Sequence, residues 1–236
     1  MRRIITYSRN DMRLIFRDPI LYVMLIVPLI IISLLRYGLP ALAEIFPVLE
    51  SYTLVLLGTF CLIIAMFPAF IYSFIMLDEK DQDVLTVIRV LPISSTEFLA
   101  IRLLFISVFS CFFIVLTIVL TGFVDWGPLK ILLVSLTVSL VAPVMSLFII
   151  GFARNKIEGA TWMKGLNFIL FLPVLSYFLK GSYEYYFGIL PVYWIFKMFD
   201  PGFSSLPFYV NYTIALIYHL VLLIVGVRVF KRRVFP

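Results

Sequence analysis

The chain has 236 residues, 63% of them hydrophobic and 14% charged, with a formal net charge of +6 and a mean hydropathy of +1.12. A soluble domain is nearer half apolar and a quarter charged. The composition therefore excludes a soluble globular protein and predicts an all-α polytopic membrane protein, a single domain over residues 1–236 of about six helices.

The first eighteen residues form an amphipathic pattern. On a helical wheel Ile4, Ile5, Met12, Ile15 and Phe16 share one arc, and Arg2, Arg3, Arg9, Arg13 and Arg17 the opposite one. Such a helix is expected to lie in the membrane interface with Arg9, Arg13 and Arg17 towards lipid headgroups or a partner. A solvated basic leader that only sets topology is the competing reading. No cleavable signal peptide is expected, because the first apolar run follows five arginines and lacks an A-x-A-like exit.

Six spans follow: Pro19–Leu35, Thr53–Leu77, Phe98–Thr121, Leu129–Phe152, Leu166–Leu179 and Phe208–Val227. Pro28, Pro68, Pro143 and Pro173 fall inside them and are expected to kink helices, which membrane helices tolerate. With a cytoplasmic N-terminus, the inner segments hold fifteen Lys and Arg residues and the outer ones four. The asymmetry predicts a multi-pass cell-membrane protein with both termini cytoplasmic. It also accounts for the net charge without a nucleic-acid partner, since the basic residues sit at membrane edges rather than in one patch.

Two segments between spans stand out. Residues 180–207 are aromatic, moderately apolar and broken by Gly181, Gly188, Pro191, Pro201 and Gly202. They are expected to form short re-entrant helices at the outer interface, buried in protein or lining a cavity. Residues 78–94, between spans two and three, read DEKDQDVLTVIRVLPIS. On a wheel Val84, Val87, Ile88 and Leu91 fall together with Leu85 beside them, and Asp78, Glu79, Gln82, Asp83, Thr86 and Arg89 fall opposite. Acidic residues crowd the first turn of that helix, and Pro92 ends it. A short amphipathic helix on the cytoplasmic face is predicted. It serves either as a docking surface for another protein or as a helix packed only on its own chain.

The stretch Glu79–Ser94 resembles the segment after the second helix of ABC-2-type transporter permeases, which reads approximately E-(K/R)-E/D-x-G-(T/V)-L-x-x-L-x-x-(T/L)-P-(L/I). Glu79, Lys80, Asp81, Val84, Leu85, Pro92 and Ile93 match it. Arg17-Asp18-Pro19 is similar to the family's entry into the first span, and Leu190-Pro191 with the aromatics before Pro201 is similar to its outer re-entrant helices. The subfamily it looks most like is the permeases of fluoroquinolone or multidrug exporters. Asp83 departs from the family's glycine, which leaves open whether the helix runs continuously from Glu79 or starts later with Asp83 as its N-cap.

The resemblance implies the membrane half of an ABC exporter, with two permease chains, identical or not, and two ATP-binding subunits. Glu79, Asp83, Val84, Leu85, Val87, Ile88, Arg89, Leu91 and Pro92 would form the coupling helix that docks into the ATPase, with apolar anchors rimmed by charge. Apart from membrane lipid, no other partner is implied.

The chain has no catalytic constellation of its own. Gly122-Phe-Val-Asp-Trp-Gly127 is followed by Pro128-Leu129 where a P-loop needs Lys-Ser/Thr. No zinc-protease motif, His/Cys cluster or G-x-S-x-G motif occurs. No metal or cofactor is expected in the chain, and ATP with magnesium would be held by the partner. Cys61 and Cys111 lie in apolar runs and read as small buried hydrophobes. His219, in the sixth span, is either a functional intramembrane group or a neutral histidine bonded to a nearby helix. Export of a hydrophobic or amphipathic drug, peptide or lipid-like compound is the leading expectation. An ATP-independent carrier or channel, and a non-transporting immunity or assembly factor, are the alternatives.

Overall fold

A computed structural model describes residues 19–82, 95–179, 182–200 and 206–234. Every regular element among them is helical. In chain order these are α1 (Pro19–Ser33), α2 (Leu39–Ile45), α3 (Thr53–Asp81), α4 (Ser95–Thr121), α5 (Pro128–Ser139), α6 (Val141–Phe152), α7 (Lys156–Phe171), α8 (Pro191–Phe199) and α9 (Phe208–Val234). A π-turn at Leu34–Gly38 joins α1 to α2, and 3-10 turns occupy Pro47–Tyr52, Leu172–Tyr177 and Ser182–Ile189. The expected interface helix over residues 1–18 lies outside the described residues.

Five helical stretches among the described residues are long and apolar enough to cross a bilayer: Ile26–Ile45, Pro47–Asp81, Leu99–Thr121, Pro128–Phe152 and Phe208–Arg233. They correspond to five of the six expected spans, and their differences from expectation have local causes. The first does not stop near Leu35 but continues to Ile45. Pro40 lacks an N–H for the helical ladder, and the π-turn, in which the Leu39 N–H reaches back to the Leu34 carbonyl, carries the chain past it. The Arg36 side chain, just past the expected end of this span, donates to the Leu120 carbonyl at the end of α4. A cation there complements the helix dipole. Gly122, at φ 67°, ends α4 in the left-handed region that only glycine enters freely.

The fourth span breaks in two. Pro143 cannot donate to the Ser139 carbonyl, so the ladder tightens at Leu140, whose N–H bonds Thr137 at 3.2 Å. Pro28 and Pro68, by contrast, sit inside continuous helices. The expected fifth span, Leu166–Leu179, is not among the five membrane-length stretches. Its residues are shared between the end of α7 and the following 3-10 turn, where Pro173 occupies one of the first two positions. α7 starts ten residues earlier than expected because Asn155 caps it, accepting from the Glu158 N–H at 2.9 Å.

α3 is the central post. Its 29 residues span about 43 Å, more than the ~30 Å of a bilayer core. Its polar last turn, Asp78–Asp81, can therefore stand beyond the hydrocarbon. Most of its middle is buried, against α1, α4, α6 and α8. Where α3 meets α6, Ser73 Oγ and Ser146 Oγ lie 3.2 Å apart in the buried interior, a polar link of the kind that helps membrane helices associate. α8 is buried along most of its length. Phe196 and Phe199 of α8 press on α3 at Gly58, where an added Cβ would lie 3.2 Å from the Phe199 ring.

Gly58→Val is expected to lower stability by about 1–3 kcal/mol through overpacking. Gly165→Ala on α7, where a Cβ meets nothing within 4 Å, should be neutral or stabilising. Thermal unfolding in detergent checks both.

Candidate functional site

Of the residues expected to dock a partner, Glu79 is described, and it falls at one end of the bundle. There α3, α6 and α9 finish and α4 and α7 begin. Glu79 lies in the last turn of α3, which ends at Asp81 with Gln82 as its C-cap. The acidic residues expected in the first turn of a separate helix are thus the last turn of the second span instead. Asp83, Val84, Leu85, Val87, Ile88, Arg89, Leu91 and Pro92 lie outside the described residues, as do Arg9, Arg13 and Arg17. What the structure describes is the mounting of the 83–94 segment.

That mounting is built by three consecutive side chains. Successive residues of a helix point about 100° apart, so Asp78, Glu79 and Lys80 face three different neighbours. Glu79 pairs with Arg102 on α4 through two hydrogen bonds, one at 2.6 Å from Nη2 to Oε1. The Arg102 side chain is only 5% exposed and that of Glu79 16%. Lys80 donates from Nζ to the Ala153 carbonyl at 2.9 Å, at the C-cap of α6. Asp78 pairs with Lys156 in the first turn of α7, 2.5 Å from Oδ2 to Nζ.

Helix ends explain the choice of charges. The last carbonyls of α6 have no intrahelical donor and carry the negative end of its dipole. They receive Lys80 at Ala153, and Arg233 of α9 at Gly151, 3.4 Å away. Arg233 also lies over the Phe152 ring, 4.3 Å from its centroid. Acceptors crowd the start of α7 instead, with Asn155 bonding the Glu158 N–H and Glu158 bonding the Arg154 N–H, both at 2.9 Å. Gly159 brings that turn close to α3, since a Cβ there would fall 2.6 Å from a Leu77 methyl. Below the charges, Ile71, Tyr72, Ile75 and Met76 of α3 pack with Leu99, Leu103, Ile106, Leu147, Ile150 and Phe230 in one apolar cluster. The ends of α3, α4, α6 and α9 are thereby held as a block.

The opposite end carries a second buried ion pair that sequence reasoning missed. Lys197 on α8 donates to Glu184 at 2.9 Å, its side chain 3% exposed. Lys130 lies over both the Trp126 and Phe208 rings, 4.2 and 4.7 Å away. Arg102 is one of the fifteen basic residues counted on the inner side. It lies four residues past the expected start of its span at Phe98, and Glu79 two residues past the expected end of the neighbouring span at Leu77; opposite charges that near one membrane edge were the clue to a pair.

His219 is 1% exposed, and its Nδ1 bonds the Ala215 carbonyl of its own helix at 2.8 Å, not a neighbouring helix. A carbonyl only accepts, so Nδ1 carries a proton. Cys61 is buried and Cys111 half-buried, both as free thiols. No cluster of metal-ligating groups occurs among the described residues.

A family model described as "Fluoroquinolones export permease protein Rv2686c-like" matches residues 11–227. Two relatives named Fluoroquinolones export permease protein are each 29% identical over 206 residues, which cover 84% of this chain and 82% of theirs. They are MT2760 of Mycobacterium tuberculosis (strain CDC 1551 / Oshkosh) and Rv2686c of Mycobacterium tuberculosis (strain ATCC 25618 / H37Rv).

Removing one partner of a buried ion pair leaves the other uncompensated. Arg102→Ala is therefore expected to cost about 3–5 kcal/mol, while Glu79→Leu with Arg102→Leu should recover most of that loss. Unfolding of single and double variants in detergent reads the difference. A double variant no better than the single one would contradict the pair's role.

Proposed function

Because the chain belongs to the Rv2686c-like family of fluoroquinolones export permeases, and so is a multi-pass ABC-2-type permease, we propose that it is the membrane subunit of an ATP-driven drug exporter. Its working unit holds two permease chains and two copies of a separate ATPase that binds ATP and magnesium. Its cargo is a hydrophobic or amphipathic compound, with a fluoroquinolone the first to try because of the relatives' names. The helix α7 and its 3-10 extension complete a six-span layout, and the charged end is cytoplasmic with both termini.

The observation that carries the coupling role is the mounting at residues 78–80. The 83–94 segment joins α3 to α4, and its two roots are clamped by Glu79 and Arg102. The same turn reaches α6 through Lys80 and α7 through Asp78. A force on this segment from outside the membrane enters four helices at once. Val84, Leu85, Ile88 and Arg89 make the main contacts with the ATPase, Asp83, Val87, Leu91 and Pro92 shape the docking helix, and Glu79 works from behind it as a clamp. Arg9, Arg13 and Arg17 hold the N-terminal interface helix at the same surface. An ion-driven carrier would need a buried proton or ion relay, and His219 bonds its own backbone rather than a carboxylate.

Affinity purification of the chain from its native membrane in mild detergent is expected to bring down a soluble P-loop protein at equal stoichiometry. Ile88→Glu and Arg89→Glu should abolish drug-coupled ATP hydrolysis while the chain still inserts. ATP-independent transport of a fluoroquinolone by the purified chain in vesicles would overturn the proposal.

A further inference from the structure

A cleft of about 850 Å³ lies between α4, the α5–α6 break and α9. It does not include Glu79, Arg102 or His219 in its lining, and at Leu99 and Leu103 it borders the apolar cluster beneath the charged end. On α4 its lining runs from Leu99 to Val115 and on α9 from Leu216 to Val227. The sixteen helical steps from Leu99 to Val115 make it about 24 Å long, parallel to the spans. Leu104, Val108 and Phe112 on its rim are each more than half exposed, so the cleft opens sideways, in a membrane chain towards the hydrocarbon.

Its chemistry restricts the occupant. The lining is almost wholly carbon, and its two hydroxyls are already used. Ser107 donates to the Leu103 carbonyl and Ser139 to the Leu136 carbonyl, each at 2.8 Å. A polar or zwitterionic compound would leave its own groups unbonded there, at a cost that apolar contacts do not offset. A long, narrow groove with no polar group but bonded hydroxyls and the weakly donating Cys111 thiol suits a hydrocarbon chain. The charged end then selects the headgroup. The α9 stripe Leu216, Leu220, Leu223, Val227 continues one turn on to Lys231, and Arg228 sits beside it. Lys231 makes no ion pair among the described residues. Basic groups at headgroup depth attract anionic lipid.

We propose that this cleft is a binding site for an anionic phospholipid, its acyl chain lying between α4 and α9 over the Leu140 break and its phosphate at Lys231 and Arg228. The inference rests on the chain's spanning a bilayer, and not on its coupling to an ATPase.

Native mass spectrometry of the detergent-purified full chain, offered equal phosphatidylglycerol and phosphatidylcholine, tests it. Wild type should retain phosphatidylglycerol about fivefold or more over phosphatidylcholine, the preference expected from one or two basic residues. Ala100→Trp or Ser107→Trp, each filling the groove, should lower total retained lipid about tenfold. Arg228→Gln with Lys231→Gln should equalise the two lipids without lowering their sum. The proposal fails if wild type holds the two lipids equally, a result that needs no variant to fold, or if both tryptophan variants hold as much lipid as wild type. It also fails if a short bifunctional maleimide links Cys111 to Cys111 of a second copy, since a protein chain would then cover the groove. Displacement of the retained lipid by a fluoroquinolone would equally overturn it, and would assign the cleft to cargo.

Discussion

Three consecutive side chains at the end of α3 join its last turn to three other helices. A helix end in water would leave Asp78, Glu79 and Lys80 solvated and weakly interacting, because exposed ion pairs contribute little. Here the turn stands where α4 begins, α6 ends and α7 begins, so Glu79 and Lys80 meet fixed complements, while the Asp78–Lys156 pair stays more exposed and adds less. Arg102 is nearly buried, the Ala153 carbonyl has no helical donor, and Lys156 lies in a capped first turn. A buried pair is held firmly because the alternative is an uncompensated charge in a poor dielectric. The rest of the end follows from this arrangement. Gly159 allows the close approach of α7, and the apolar cluster beneath locks α3 to α4, α6 and α9.

The opposite end uses different means towards the same rigidity. Its backbone is irregular, with 3-10 turns and the short helix α8, and such backbone must find partners inside the protein. Trp194 Nε1 reaches the Gly188 carbonyl at 2.9 Å and Tyr177 the Phe196 carbonyl at 3.2 Å. The Lys197–Glu184 pair and the placement of Lys130 over two rings add charge where aromatic residues are dense. Between the ends, the α5–α6 break at Leu140 is the one interruption of a membrane-length stretch that faces the lateral cleft. One end is thus a set of helix termini joined by charges, and the other a plug of aromatic side chains.

Much of this was legible in the sequence. The starts of α3 and α9 at Thr53 and Phe208 and the end of α4 at Thr121 fall where the apolar runs predicted. Each boundary coincides with a change from polar to apolar residues that composition alone registers. The resemblance carried by Glu79, Lys80 and Asp81 pointed to the family that residues 11–227 match. Backbone accommodation was less legible. Four prolines looked alike as kinks, yet Pro28 and Pro68 leave helices continuous, Pro143 breaks one and Pro173 sits in a 3-10 turn. The difference depends on whether neighbouring groups can absorb the lost hydrogen bond, which no local pattern encodes. The π-turn past Pro40 was hidden for the same reason. The partners of Glu79, Lys80 and Asp78 lie 23 to 78 residues away in sequence. Their pairing depends on which helix ends meet, and that is a property of the assembled bundle.

The central claim is that residues 78–80 transmit force and do not themselves bind the ATPase. It is tested most directly in Lys80→Met combined with Asp78→Asn, which cuts the ties to α6 and α7 and leaves the 83–94 segment and the Glu79–Arg102 pair intact. The measurement is ATP-driven fluoroquinolone uptake into inside-out vesicles, taken together with the amount of ATPase subunit bound per chain. The account predicts a wild-type complement of bound ATPase and loss of most of the uptake. Uptake at the wild-type rate, or loss of the bound ATPase, would contradict it.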